Sequence, residues 1–306
     1  MEQLLAHMEK ELIGQRQNVR LLVAALLAGG HVLLEGVPGI GKTKMVRTLS
    51  RLIGGESKRV QFTPDMMPSD IIGHVVFNMQ LNQFETVKGP VFTQLLLADE
   101  INRTAPKTQA ALLEAMEEHQ VTIQGTTYPL PEPFFVVATQ NPVEYEGTYV
   151  LPEAQLDRFL FKLNMQYPSY EHERQILQQH AVQLEAEEVL PAPILSVADL
   201  LQERKKLKEV VVAESIFDYI TTLIRKTRET TRLQLGASSR AGIAVLQASK
   251  AWALLDNRMY VTPDDVKTVA RPALRHRLIL SPHVELEGGT SDQIIDETLA
   301  AIPVPR

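Results

Sequence analysis

Gly36-Val37-Pro38-Gly39-Ile40-Gly41-Lys42-Thr43, GVPGIGKT, fits the pattern G-x-x-x-x-G-K-[ST]. The apolar run His31-Val32-Leu33-Leu34 precedes it and a helical stretch from Lys42 to Leu52 follows, the strand-loop-helix setting that the pattern requires. Glycines let backbone N–H groups approach phosphate oxygens, and the helix start adds positive partial charge. Lys42 is suited to the β and γ oxygens and Thr43 to Mg2+. The loop therefore predicts a nucleotide-phosphate site where the first strand of an α/β sheet ends.

Outward from the loop, short apolar runs recur at Arg59-Val60-Gln61-Phe62, Leu95-Leu96-Leu97-Ala98, Phe134-Phe135-Val136-Val137 and Phe159-Leu160-Phe161, with helical patterns between most of them. Near-continuous apolar strands alternating with helices read as a parallel sheet sandwiched by helices. After Pro191-Ala192-Pro193 helical periodicity takes over, as in Ile216, Phe217, Ile220, Leu223 and Ile224. The reading is an α/β nucleotide-binding domain over 1–190 and a smaller all-α domain over 191–306. Thr262-Pro263-Asp264-Asp265 supplies a helix start in the second part: a capping hydroxyl, a proline at the first helical position and acids near the positive end of the dipole. Two strand-like alternations, one near 73–88 with a turn near Asn82-Gln83 and one near 120–130, read as hairpins inserted in the first domain.

The chain has 306 residues, long for one core and comfortable for two domains. An apolar content of 44% with 22% charged residues is that of a folded globular protein. No apolar run approaches the roughly 20 residues that span a bilayer, and the N-terminal MEQLLAHMEKEL lacks the basic start and apolar core of a signal peptide. A cytoplasmic protein is the expectation. The formal charge of −6 argues against sequence-independent nucleic-acid binding, and the basic run Arg204-Lys205-Lys206-Leu207-Lys208 reads as a solvated helix face. Zero cysteines exclude thiolate metal sites, and the eight histidines have no i, i+3 or i, i+4 pair. Trp252 reads as core packing.

The run Leu95 to Ala98 ends in Asp99-Glu100, which puts two carboxylates at the C-terminal end of a buried strand, where α/β sheets bind ligands. Asp99 would complete the Mg2+ shell, directly or through water, and Glu100 would deprotonate an attacking water. A guanine-reading N-K-x-D sequence is missing, which counts against a GTP switch. The Glu beside Asp99 favours hydrolysis over transfer to a small molecule. Asn141 follows the strand that ends in Ala138-Thr139-Gln140 and precedes Pro142, a place between Lys42 and Glu100 from which an amide could hold the water; an Asn-Pro turn is the plain alternative.

Together GVPGIGKT, LLLADEINR, ALLEAMEEHQVTI, ATQNPVEYEGTYVLPEAQLDRF and LGASSRA resemble the MoxR family of AAA+ ATPases, in order from Ile13-Gly14-Gln15 to about His276. The resemblance implies a P-loop core with a helical lid, ATP and Mg2+ as ligands, and a homo-oligomeric ring, usually a hexamer, with ATP at subunit boundaries. By that likeness Lys42 and Thr43 belong to Walker A, Asp99 and Glu100 to Walker B, and Asn141 is sensor 1. Arg158 is the arginine finger that enters the neighbouring site, Arg240 is sensor 2 on the lid, and Ile13 and Gly14 pack near adenine. The segments 73–88 and 121–128 correspond to the helix-2 insert and the pre-sensor-1 hairpin. Ser239 stands where the family usually has proline, a residue tolerated in a first helical turn. Arg103 is a candidate for contact with a neighbouring subunit.

The implied function is remodelling or activation of a client protein, often in maturation or metal insertion. No D-x-S-x-S motif is present, so the von Willebrand A domain that commonly accompanies the family would be a partner on another chain. The rival readings are an ATP-gated interaction scaffold, in which turnover only resets partner affinity, and a magnesium-chelatase-type or nucleic-acid motor subunit.

Overall fold

The structure, a computed structural model, describes residues 1–141, 148–183 and 193–305. Pro142 and the Pro191-Ala192 part of the expected boundary lie outside the described residues. The chain divides into two compact units, one of residues 1–19, 31–158 and 163–200, the other of 20–30, 159–162 and 201–306.

The sheet is built from β1 (His31–Glu35), β2 (Ser57–Gln61), β5 (Leu95–Asp99), β8 (Phe135–Gln140) and β9 (Phe159–Asn164), in the order β2-β5-β8-β1-β9. The apolar runs of the sequence thus all become strands of one sheet. Pairing of β2 with β5, β5 with β8, and β8 with β1 is parallel, and the registers set Gln61 opposite Asp99 and Glu35 opposite Gln140. Leu33, Leu34, Leu96, Phe135 and Val137 are almost fully buried, as expected for strands covered on both faces. Because β8 lies between β1 and β5, its C-terminal end separates the phosphate loop from the Asp99-Glu100 pair.

The helices up to residue 183 are α1 (Glu2–Glu11), α2 (Arg16–Ala28), α3 (Lys42–Ile53), α4 (Pro68–Ile72), α5 (Pro106–Glu118), α6 (Glu153–Leu156) and α7 (Tyr170–Gln183), with most of α2 belonging to the second unit. α3 stops at Gly54, whose φ of 64° closes the helix in the left-handed region. Two antiparallel hairpins stand apart from the sheet: β3 (Gly73–Asn78) with β4 (Gln83–Lys88), and β6 (Gln120–Ile123) with β7 (Thr126–Pro129). They touch through the Thr86 and Tyr128 hydroxyls at 3.0 Å and through Lys88, whose ammonium lies 4.8 Å from the Phe92 ring and 5.8 Å from that of Tyr128.

The later part of the chain is helical, with α8 (Val197–Lys206), α9 (Glu214–Glu229), α10 (Ser239–Leu255), α11 (Pro263–Leu274), α12 (Pro282–Leu286) and α13 (Ser291–Ala301), plus one short ribbon of β10 (Leu233–Leu235) and β11 (Ile279–Leu280). Three and two residues are too few for a period-two pattern to register in the sequence. α11 begins at Pro263, with Thr262 and Asp265 forming a reciprocal capping box. Buried Asp265 also receives Arg258 Nη1 at 2.8 Å. The basic run is not wholly a solvated face: Arg204 donates to the Leu26 carbonyl from Nε and Nη2 at 2.9 and 2.7 Å, a cation on the last turn of α2. Trp252 is only partly buried, and the Arg20 guanidinium covers its ring at 4.7 Å.

Candidate nucleotide site

The loop from Gly36 to Thr43 leaves the end of β1 and turns into α3. Gly39 and Gly41 have φ of 83° and 90°, and a Cβ on either would meet nothing within 4 Å. Gly36 is glycine for another reason, since a Cβ there would lie 2.4 Å from Ile40 Cδ1 and 2.7 Å from the Met165 carbonyl. No side chain caps the start of α3, and a helix start of this kind offers its first amides to an anion. The Lys42 ammonium donates to the carbonyls of Gly36 at 2.7 Å and Gln140 at 3.4 Å.

Asp99 ends β5, buried, and each carboxylate oxygen has its own donor. Thr139 Oγ1 donates to Oδ1 at 2.6 Å, and Arg59 donates to Oδ2 from Nη2 at 2.7 Å and Nε at 3.2 Å. The same Thr139 oxygen accepts the Glu100 amide at 2.9 Å. One buried hydroxyl on β8 thus fixes both the first carboxylate and the backbone of the second. Glu100 has φ of 57°, a left-handed conformation that costs a non-glycine residue about 1–3 kcal/mol and clusters at functional sites. Glu100 Oε2 accepts from Gln61 Nε2 at 2.7 Å and from Arg103 Nη1 at 2.9 Å.

Asn141 is buried just past the end of β8. Arg158 follows α6; its Nη1 donates to the Leu113 carbonyl at 2.8 Å and pairs with Glu117, both on α5, while its Nε is buried without a partner. Arg240 is exposed in the first turn of α10, where Ser238 Oγ caps Ala241 N at 3.3 Å. Ile13 lines a cavity of about 550 Å³ together with Pro38, Gly39, Ile40 and Gly41 of the loop and Tyr167, Ile176 and Leu177. Gly14 has φ of 77°, and a Cβ there would strike the His172 ring at 2.8 Å. The first unit therefore brings together Ile13, the 36–43 loop, Asp99, Glu100 and Asn141, while Arg158 lies against α5 and Arg240 belongs to the second unit.

The chain is similar to known proteins along most of its length. A family profile described as the ATPase family associated with various cellular activities (AAA) matches residues 31–161, and an AAA lid profile matches 225–298. The chain is 41% identical to Chaperone MoxR1 of Mycobacterium tuberculosis (strain ATCC 25618 / H37Rv), covering 100% of this chain and 82% of that protein. It is 31% identical to Protein MoxR of Methylorubrum extorquens, covering 96% and 90%. The chain belongs to the MoxR family of AAA+ ATPases. YeaC of Bacillus subtilis (strain 168) is 49% identical over 98% of this chain and 93% of its own length. A solved structure of a proposed ATPase from Cytophaga hutchinsonii ATCC 33406 superposes with a TM-score of 0.90 at 41% identity, covering 100% of this chain and 94% of that one.

The residues of this MoxR-family chain fit ATP and Mg2+. The open glycine cradle and uncapped α3 suit phosphates, the adjoining cavity with its apolar walls suits a base, and a buried carboxylate at a strand end suits a hard cation. Among the described residues no cluster of three or more His, Asp or Glu makes a separate metal site, and no helix is long and apolar enough to cross a membrane. Sequence reasoning missed Arg59, Gln61 and Thr139. Each sits in an ordinary strand pattern, and only the parallel registers set them beside Asp99 and Glu100. Thr139 alone had a local signal, as a hydroxyl inside an otherwise apolar buried strand.

Proposed function

We propose that this chain is a Mg2+-dependent ATP hydrolase that works as a ring of copies, a hexamer by family habit, to remodel or activate a client protein in the cytoplasm. The observation that carries the reading is the Thr139 bridge, which locks Asp99 and the Glu100 backbone together at the strand ends beside the phosphate loop. Residues 1–190 form the nucleotide-binding domain and 191–306 the lid.

In this reading the amides of residues 36–43 and the Lys42 ammonium hold the phosphates, Ile13 and Gly14 border the base, and Thr43 and Asp99 hold Mg2+, Asp99 directly or through water. Mg2+, when bound, neutralises charge on the β and γ oxygens. Glu100 takes the proton of the attacking water, for which its carboxylate must turn from Gln61 and Arg103, and Asn141 orients that water. Arg158 serves the neighbouring copy's site and Arg240 senses the phosphate. The Arg158–Glu117 pair does not oppose this: a partly exposed pair contributes about 0–1 kcal/mol, whereas fingers elsewhere supply roughly 10³ to 10⁵ in rate.

The client role draws support from the relative named a chaperone and from the uncharged apolar tip of the first hairpin, where Phe77, Met79, Leu81 and Phe84 are exposed. A von Willebrand A domain protein is the partner of choice. The test is mixing. Arg158→Ala and Lys42→Ala are each expected to be inactive alone and to regain part of the turnover together, because intact fingers then face intact loops at some boundaries. Mixed assemblies that form yet stay inactive contradict a site shared between copies.

A further inference from the structure

Two side chains, Arg59 and Gln61, join the two carboxylates of the site by a route outside the Thr139 bridge. Arg59 on β2 holds Asp99 Oδ2 with two donors, and its Nη2 also donates to Gln61 Oε1 at 3.1 Å. Gln61 Nε2 donates to Glu100 Oε2 at 2.7 Å. The amide is polarised by this placement: with its oxygen committed to Arg59, only its NH2 can face Glu100. The two ends differ in freedom. Thr139 is fully buried and its grip on Oδ1 is closed to solvent, whereas the Arg59 side chain is 53% exposed and able to swing away from Oδ2.

We propose that Arg59 is a positioning residue that makes the state of Glu100 depend on whether Asp99 holds a cation. The inference rests on the proposed roles of Asp99 and Glu100. Oδ2 is the one oxygen that Asp99 can turn toward a metal without breaking a buried bond, and it is the oxygen that Arg59 occupies. Guanidinium and Mg2+ are both cations and compete for it. While Arg59 stays, Gln61 is fixed and Glu100 keeps two donors on Oε2. Once Arg59 yields, the Gln61 oxygen loses its donor, its amide is free to rotate, and Glu100 keeps only Arg103. The Gln61 half of the restraint on the base is thereby lifted only in chains whose metal ligand is engaged. No bond is made or broken beyond hydrogen bonds.

The test is an equilibrium titration of MgCl2 into the full chain with a fluorescent, non-hydrolysable ATP analogue, in wild type, Arg59→Gln, Arg59→Lys and Gln61→Met. Removing the competing charge in Arg59→Gln should lower the half-saturating Mg2+ concentration by about three- to tenfold, the scale of one unit charge a few ångström away in a partly solvated site. Affinity for the analogue in EDTA should not change. Arg59→Lys keeps a charge and should stay within about twofold of wild type, which guards against misfolding of the glutamine variant. Gln61→Met cuts the route below Arg59 and should keep the wild-type midpoint while raising basal turnover. An unchanged or raised Mg2+ midpoint in Arg59→Gln overturns the proposal, as does an equal shift in Gln61→Met. A wild-type chain with no Mg2+ dependence, or Asp99→Asn with an unaltered one, overturns instead the reading of Asp99 as a metal ligand.

Discussion

Thr139 shows how much one hydroxyl can organise. It donates to Asp99 and accepts from the Glu100 amide, so Thr139→Val, nearly isosteric, strands two partners at once. Leaving a buried donor unsatisfied costs about 1–3 kcal/mol. The variant should melt in denaturant at a correspondingly lower midpoint, and its turnover should fall by more than the loss of folded protein explains; unchanged turnover in the folded fraction would remove Thr139 from the site. The contrast with Lys42, Thr43, Asp99 and Glu100 is one of locality. Those four announce themselves because a loop, its helix and a strand end are contiguous in sequence. Thr139, Arg59 and Gln61 act through strand pairing between segments some 40 residues apart, and a single sequence carries no record of register.

At the scale of elements, strand content was readable because a sheet covered on both faces demands uninterrupted apolar runs. The hairpins were readable from alternation, but what anchors them was not. Gly89 closes the root of the first hairpin, where a Cβ would lie 2.2 Å from the Ile71 carbonyl and 2.6 Å from the Gly73 amide. Backbone atoms cannot step aside as side chains do. Gly89→Ala should therefore destabilise the chain by about 1–3 kcal/mol and open residues 73–88 to limited proteolysis. Phe84→Ser at the 75% exposed tip should leave the melting temperature essentially unchanged, within about 0.5 kcal/mol. Similar melting shifts for the two variants would contradict the picture of a fixed root and a free tip.

For the whole molecule, folding stability should carry a signature of His276. The ring is buried beside Arg277, Arg275 and Lys162, and burial first, then these charges, hold its pKa well below the ordinary 6.5. It stays neutral, with its Nε2 3.0 Å from the Phe159 carbonyl. The unfolded chain binds a proton there as pH falls through 6.5 and the folded chain does not, so this contribution is present above that pH and is lost below it. Between pH 6.5 and 5.5 the loss comes to about 1 kcal/mol for one such group that stays neutral in the folded chain. His276→Gln should flatten that part of the melting profile, and an equally steep profile in the variant would assign the pH dependence to other groups. The central claim concerns chemistry at Glu100, and comparing ATP binding with ATP turnover in Glu100→Gln tests it most directly. The variant should bind ATP with wild-type affinity in the presence of Mg2+ and lose roughly 10² to 10⁴ in turnover, the range of a lost general base. Near-normal hydrolysis by a variant that binds ATP would contradict the assignment.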